Sequence, residues 1–135
     1  MSSAALSLQQ AIFASLTADA ALTALLGGPR IYDGAPQGSA FPYLTFGQST
    51  ARDWSTATDD GKEHIFTIHV WSRTRGTSEA QAIMDAVRAA LHDQPLTLDG
   101  HRLVNLRAEF SDSRRDPDGQ TMHGMVRFRA VTEPA

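Results

Sequence analysis

Lys62-Glu63-His64-Ile65-Phe66-Thr67-Ile68-His69-Val70-Trp71-Ser72 alternates along its length, and the segment that follows it does not. Phe66, Ile68 and Val70 recur at every second residue, so they share one face of a strand, and Ile65, Thr67, His69 and Trp71 share the other. That second face is mixed rather than polar, which predicts an apolar cover over part of it. Beyond Gly76 the period changes. Ala80, Ile83, Met84, Val87 and Leu91 fall on one stripe of a helix predicted over Ser78–His92. Ser78 and Gln81 fit a capping box, and Glu79 sits in the first turn, where a negative charge is favoured. A two-faced strand followed by an amphipathic helix predicts a helix laid on one face of a sheet.

Towards the N-terminus, Leu8, Ile12 and Leu16 lie four apart, with Ala5 and Phe13 beside them, which predicts a helix over Ser3–Thr17. Thr17 and Asp19 are placed to cap a second short helix ending at Leu26. Gly27 and Gly28 stop it, and Pro29 prevents its resumption. Arg30–Asp33 reads as a short strand, 34–38 as a loop rich in Gly and Pro, and Pro42–Gly47 as the start of another strand. Gln48–Gly61 is long and polar, a mobile loop or an extended hairpin.

Towards the C-terminus, Leu96–Leu103 reads as a tight hairpin around Asp99-Gly100. A second hairpin can be put in register. Pairing Phe110 with Val126, Ala108 with Phe128 and Leu106 with Ala130 aligns two apolar faces. It also sets Glu109 against Arg127, which is favourable, and Arg107 against Arg129, which costs stability unless a carboxylate joins them. A one-residue slip would mix the faces, so none is predicted. Pro117-Asp118-Gly119 would form the turn. Arms of about twelve residues reach roughly 40 Å, so the polar end, Ser111–His123, is expected to project or bend. The fold class is α+β: an antiparallel sheet with helices packed on one face and a long C-terminal β-hairpin.

The chain has 135 residues, a length that suits one domain over 1–135. It has no cysteine, which excludes disulfides and thiolate metal sites. No run approaches the ~18 apolar residues of a membrane helix, and the first residues lack the basic segment of a secretory signal. A net charge of −3 is a poor basis for gripping nucleic acid through phosphates. Eleven arginines stand against the single Lys62, a bias that suits planar pairing with carboxylates, including those of a neighbouring subunit.

Catalytic and metal-binding patterns are weak. His64 and His69 share a strand but point to opposite faces, and no H-x-x-x-H or H-E-x-x-H spacing occurs. There is no G-x-S-x-G elbow, P-loop or G-x-G-x-x-G. Asp59-Asp60 and the group Asp112, Asp116 and Asp118 lie in polar segments, where the burial that tunes carboxylate pairs for acid–base work is not expected. No catalytic, cofactor-binding or metal-binding residue is assigned. The candidates for partner contact are Trp71, Arg73, Arg75, Asp59, Asp60, Asp112, Arg114, Arg115, Asp116 and Asp118.

An ordered set of short pieces spans nearly the whole chain: Leu25-Leu26-Gly27, Arg30-Ile31-Tyr32, Ala35-Pro36-Gln37-Gly38, Pro42-Tyr43-Leu44-Thr45, Val70-Trp71-Ser72, Ala90-Leu91, Asp116 to Gly119 and Gly124-Met125-Val126-Arg127-Phe128-Arg129-Ala130. In this order and at this length the sequence resembles the small tail-completion proteins of long-tailed phages and gene transfer agents. The resemblance implies a structural tail terminator rather than an enzyme. It would be a homohexameric ring that caps the tail tube protein and joins it to the head–tail connector or stopper. DNA would pass through the lumen without specific binding, and no membrane or cofactor is involved. The expected location is the tail or neck of a virion or gene transfer agent particle assembled in the host cytoplasm. Another neck subunit of the same particle, a small enzyme using the loop carboxylates or histidines, and a stand-alone binding domain remain as alternatives.

Overall fold

A computed structural model describes residues 3–74 and 76–135, so the candidate Arg75 lies outside the described residues. The elements run α1 (Ala4–Ala18), α2 (Ala20–Leu26), β1 (Ile31–Tyr32), β2 (Tyr43–Asp53), β3 (Lys62–Ser72), α3 (Ser78–Leu91), β4 (Thr97–Leu98), β5 (His101–Arg115) and β6 (Met122–Pro134). The strands form one curled sheet in the order β1-β2-β3-β6-β5-β4. The α+β class with a long C-terminal hairpin is as expected. One correction concerns direction: β1 runs parallel to β2, pairing Ile31 with Leu44 and Tyr32 with Thr45, so the sheet is mixed.

Local chemistry explains most of the boundaries. The Ser3 hydroxyl accepts from the Leu6 amide at 3.2 Å and starts α1. Asp19 accepts from the Leu22 amide at 2.9 Å and starts α2, and Gly27, at φ 79°, ends it in the left-handed conformation. Thr17 does not cap; its hydroxyl donates back to the Phe13 carbonyl inside α1. The capping box expected at Ser78 is also absent. Thr77 is the residue before the first turn of α3 and makes no side-chain cap, and Glu79 instead accepts a 2.6 Å bond from the Ser72 hydroxyl. That bond ties the start of α3 to the end of β3. The Gln48–Gly61 segment resolves as the hairpin alternative, because β2 stays paired with β3 as far as Asp53–Lys62.

Ile83, Met84, Val87 and Leu91 of α3 are buried in one core with Ile68, Val70, Val126 and Phe128 of the sheet and Leu8, Ile12 and Leu16 of α1. Each such side chain contributes about 1.5–3 kcal/mol through loss of water contact. Close approach of helix and sheet depends on Gly124, where a Cβ would lie 2.6 Å from the Met84 sulfur. The helices cover the face that carries Phe66, Ile68 and Val70. The opposite face of the sheet stays open.

The C-terminal hairpin keeps the predicted register only along its middle, at Leu106–Ala130, Arg107–Arg129 and Ala108–Phe128; nearer the base the register shifts by one between Leu103 and Asn105, and Val104 is exposed. Glu109 then forms a bulge, and Phe110 pairs with Arg127 and Ser111 with Val126. The slip judged unfavourable does occur, and it carries Phe110 from the core face to the open face, where it is 46% exposed. Ser111 takes the inward place, and a cleft of about 270 Å³ lined by Met84, Arg88, Phe110 and Ser111 lies between α3 and β5. The far end of the hairpin does not project from the sheet. β3 runs beside β6 as far as Ser72–Met122, and Thr121 and Met122 are buried, so only the turn beyond Arg115 leaves the sheet.

Candidate functional site

The open face of the sheet is assembled by register. Glu63, Ile65, Thr67, His69 and Trp71 of β3 face the same way as their partners on β2, Arg52, Thr50, Thr45 and Tyr43, and on β6, Val131, Arg129, Arg127, Met125 and His123. From β5 come Arg107, Phe110, Asp112 and Arg114, opposite Arg129, Arg127, Met125 and His123. None of the helices lies on it. The apolar cover predicted for this face is supplied by none of the described elements; Trp71 packs instead against neighbouring rings of the face itself.

At one end of the face the Trp71 and His123 rings stack at 4.0 Å and 6°, with Tyr43 on the other side of Trp71 at 6.4 Å. Phe41 extends the row at 4.9 Å from Tyr43, and the Arg73 guanidinium lies 4.3 Å from the Phe41 ring. Trp71 donates its indole N–H to Thr45 at 3.0 Å. The His69 Nδ1 and His123 Nε2 atoms are 2.6 Å apart, so one must donate and the other accept. His69 is accommodated by Gly47, because a Cβ at that position would lie 2.2 Å from its Nε2. Arg73 also donates to the Thr121 hydroxyl at 3.1 Å, beside Asp118. Asp118 accepts from the Gln120 and Thr121 amides and from the Thr121 hydroxyl, and these bonds hold its carboxyl below the usual range.

At the other end, Glu63 accepts from Arg129 at 2.6 Å and Arg52 at 2.5 Å, and the Arg129 bond is the first cause of its lowered pKa. Both guanidiniums lie 5.2 Å from the Trp54 ring. Between the two ends, Arg127 approaches Glu109 at 3.5 Å and lies 4.9 Å from the Phe110 ring, but its buried Nε makes no hydrogen bond. Among the described residues Arg107 has no carboxylate partner.

The predicted contact residues divide into two groups. Asp59 and Asp60 are exposed in the turn between β2 and β3. Arg73, Asp116 and Asp118 gather around the turn between β5 and β6, with Trp71, Asp112 and Arg114 nearby on the open face. Arg115 pairs with Met122, on the alternate side from Arg114. The turns lie at opposite ends of β3, roughly 33 Å apart at about 3.3 Å per residue, so these residues do not form one site. Sequence reading missed Glu63, Arg52 and Arg129. No pairing was predicted for the Lys62–Ser72 strand, so the only sequence signal was a glutamate on an alternating strand, with its arginines on other strands. Among the described residues no group of three or more metal-ligating side chains converges, and no helix is long and apolar enough to cross a membrane.

Three enclosed histidines predict that the subunit loses stability in mild acid. Burial lowers the pKa of His64, His69 and His123, in each case as the first cause. His64 is the most enclosed, 2.9 Å from the Thr132 hydroxyl through Nε2, with no partner for Nδ1. A folded pKa below the unfolded value contributes stability that is complete above about pH 6.5 and is lost as pH falls from there through the folded value. The Tm is therefore expected to drop between pH 7.5 and 5.5, and to drop less in His64→Gln. Parallel melts at the two pH values check this; equal drops in parent and variant would remove His64 from the account.

Residues 10–133 match the family described as Tail completion protein gp17. The tail completion protein gp17 of Bacillus phage SPP1 is 30% identical over 89 residues, a match spanning 66% of each chain. A chain in the virion of a native gene transfer agent particle superposes with a TM-score of 0.89 at 34% identity, over 98% of this chain and 99% of that one. The solved structure of SPP1 gp17 superposes with a TM-score of 0.66 at 25% identity, over 94% and 89% of the two chains.

Proposed function

This chain belongs to the gp17 tail completion family, and on that premise we propose that it is a structural tail terminator. It forms a homohexameric ring that caps the tail tube, stops tube growth and joins the tail to the head–tail connector or stopper. DNA passes through the lumen without specific binding. The subunit resides in the tail or neck of a phage-like or gene transfer agent particle. The observation that carries this reading is the near-complete superposition on a chain of a gene transfer agent virion. The geometry supports it: the candidate side chains lie on a broad open face and around two exposed turns, an arrangement suited to contact with other proteins. Two turns at opposite ends of the sheet also give the subunit separate surfaces for two different neighbours.

A ring requires a heterologous contact whose rotation closes. The test is the symmetry of this chain in assembled particles, read by electron microscopy. Six copies at the tail end nearest the head are expected. Twelve copies would make it a connector subunit, and a pair would remove the ring. Particles lacking the chain are expected to show tails of uncontrolled length or tails separated from heads.

A further inference from the structure

The open face of β5, β6 and β3 carries more positive charge than its own carboxylates neutralise. Arg107 and Arg129 are directly opposed across β5 and β6, an unfavourable pairing that the one carboxylate joining them, Glu63, relieves only at Arg129. Glu63 is committed to Arg129 and to Arg52. Glu109 meets Arg127 only at 3.5 Å, and Arg107 is left without a carboxylate among the described residues. The chain as a whole nevertheless has a net charge of −3, so the balancing negative charge lies elsewhere on its surface. Two adjacent carboxylates, Asp59 and Asp60, stand exposed in the β2–β3 turn with no ion pair among the described residues. The same face displays Phe110, turned outward by the Glu109 bulge at the cost of an apolar side chain in the cleft behind it. An exposed aromatic ring beside under-neutralised arginines has the composition of an interface core.

We propose that this face is a socket for a second copy of the chain: the Asp59–Asp60 turn of one subunit docks on the Arg107–Arg127–Phe110 patch of the next. The occupant is another copy because the chain carries both complementary halves on different surfaces. A contact between two different surfaces of identical subunits is head-to-tail, the kind that can close a ring. The inference rests on the ring reading above and supplies its contact. Arg107 and Arg127 then pair with carboxylates supplied from outside, and Phe110 is covered by the incoming turn.

Charge reversal tests the pairing in assembled particles. Arg107→Glu places a carboxylate opposite Arg129, so the purified subunit is expected to melt no lower than the parent. With a like charge facing Asp59 and Asp60, the yield of capped, head-joined particles is expected to fall by about tenfold or more. The double variant Asp59→Arg/Asp60→Arg is expected to fall similarly. Combining all three reversals is expected to return the yield to within about threefold of the parent. Reversals without effect would overturn the proposal. So would losses that the combination fails to repair, because the arginines would then face another tail protein or DNA phosphate. A count other than six copies in parent particles, with repair intact, would remove the hexamer and keep this contact. Six copies without repair would keep the ring and remove the contact.

Discussion

Val87→Asp is expected to unfold the subunit at ordinary temperatures or to lower its Tm by about 15 °C or more. Val87 is fully buried in α3, within the core shared with β3 and β6. The substitution removes an apolar side chain worth about 1.5–3 kcal/mol of burial and encloses a carboxylate among apolar neighbours, where it must protonate or draw in water. A loss of about 4 kcal/mol or more follows, and each kcal/mol shifts Tm by about 4 °C in a domain of this size. A thermal melt decides it. A variant melting within a degree or two of the parent would show that α3 does not lie on the Phe66, Ile68 and Val70 face. Val87→Ala provides the graded control, with a smaller loss of about 1–3 kcal/mol from the missing methyl groups.

Removing Ser55–Asp60 and rejoining β2 to β3 through Asn-Gly is expected to separate folding from assembly. Every residue removed is exposed, and the β2–β3 pairing as far as Asp53–Lys62 is retained. The Tm should stay within a few degrees of the parent, as for surface changes away from the core. The particles should nevertheless carry tails of uncontrolled length or lose their tails, because the proposed contact is gone. A melt of the purified variant and electron microscopy of particles made with it are the paired measurements. Normal particles would show the turn to be a solvated connection. The corresponding cut at the other hairpin, Asp112–Gln120, is not equivalent. It strips paired residues from β5 and exposes the edge of β6 beside Met125, so its effect on assembly could not be read apart from its effect on folding.

Periodicity made the main elements legible. The alternation of β3 and the stripe of α3 were sufficient because each buries one full face, and burial is what the pattern records. The middle of the C-terminal hairpin, around Leu106 and Ala108, was legible for the same reason, whereas the shift at Val104 nearer its base was not. The bulge at Glu109 was not, because the apolar alternation of Leu106, Ala108 and Phe110 continues through it unchanged. Only the tertiary surroundings, with α3 lying over β5, show that Phe110 leaves the core. Asp59, Asp60, Asp112 and Arg114 stood out as charged residues in polar segments, and the structure exposes them. The Glu63 cluster escaped notice because its members are far apart in sequence and meet only through the β2–β3–β6 register. The short parallel strand β1 gave no sequence signal of its direction, since two residues carry no pattern.

The bulge at Glu109 also sets the reading frame of the face. In a strand, position is counted in twos, and one extra residue exchanges inside for outside at every position beyond it. The stretch from Phe110 to Arg115 is therefore a phase-shifted copy of the stretch before it, held in that phase by a single residue. A gain or loss of one residue between Ala108 and Phe110 would turn Phe110 inward and Ser111 outward without altering any other letter of the sequence. Relatives that differ by one residue there would present different surfaces from an almost unchanged core, so insertions and deletions at this point, more than substitutions, would be the economical route by which such subunits diverge in what they recognise.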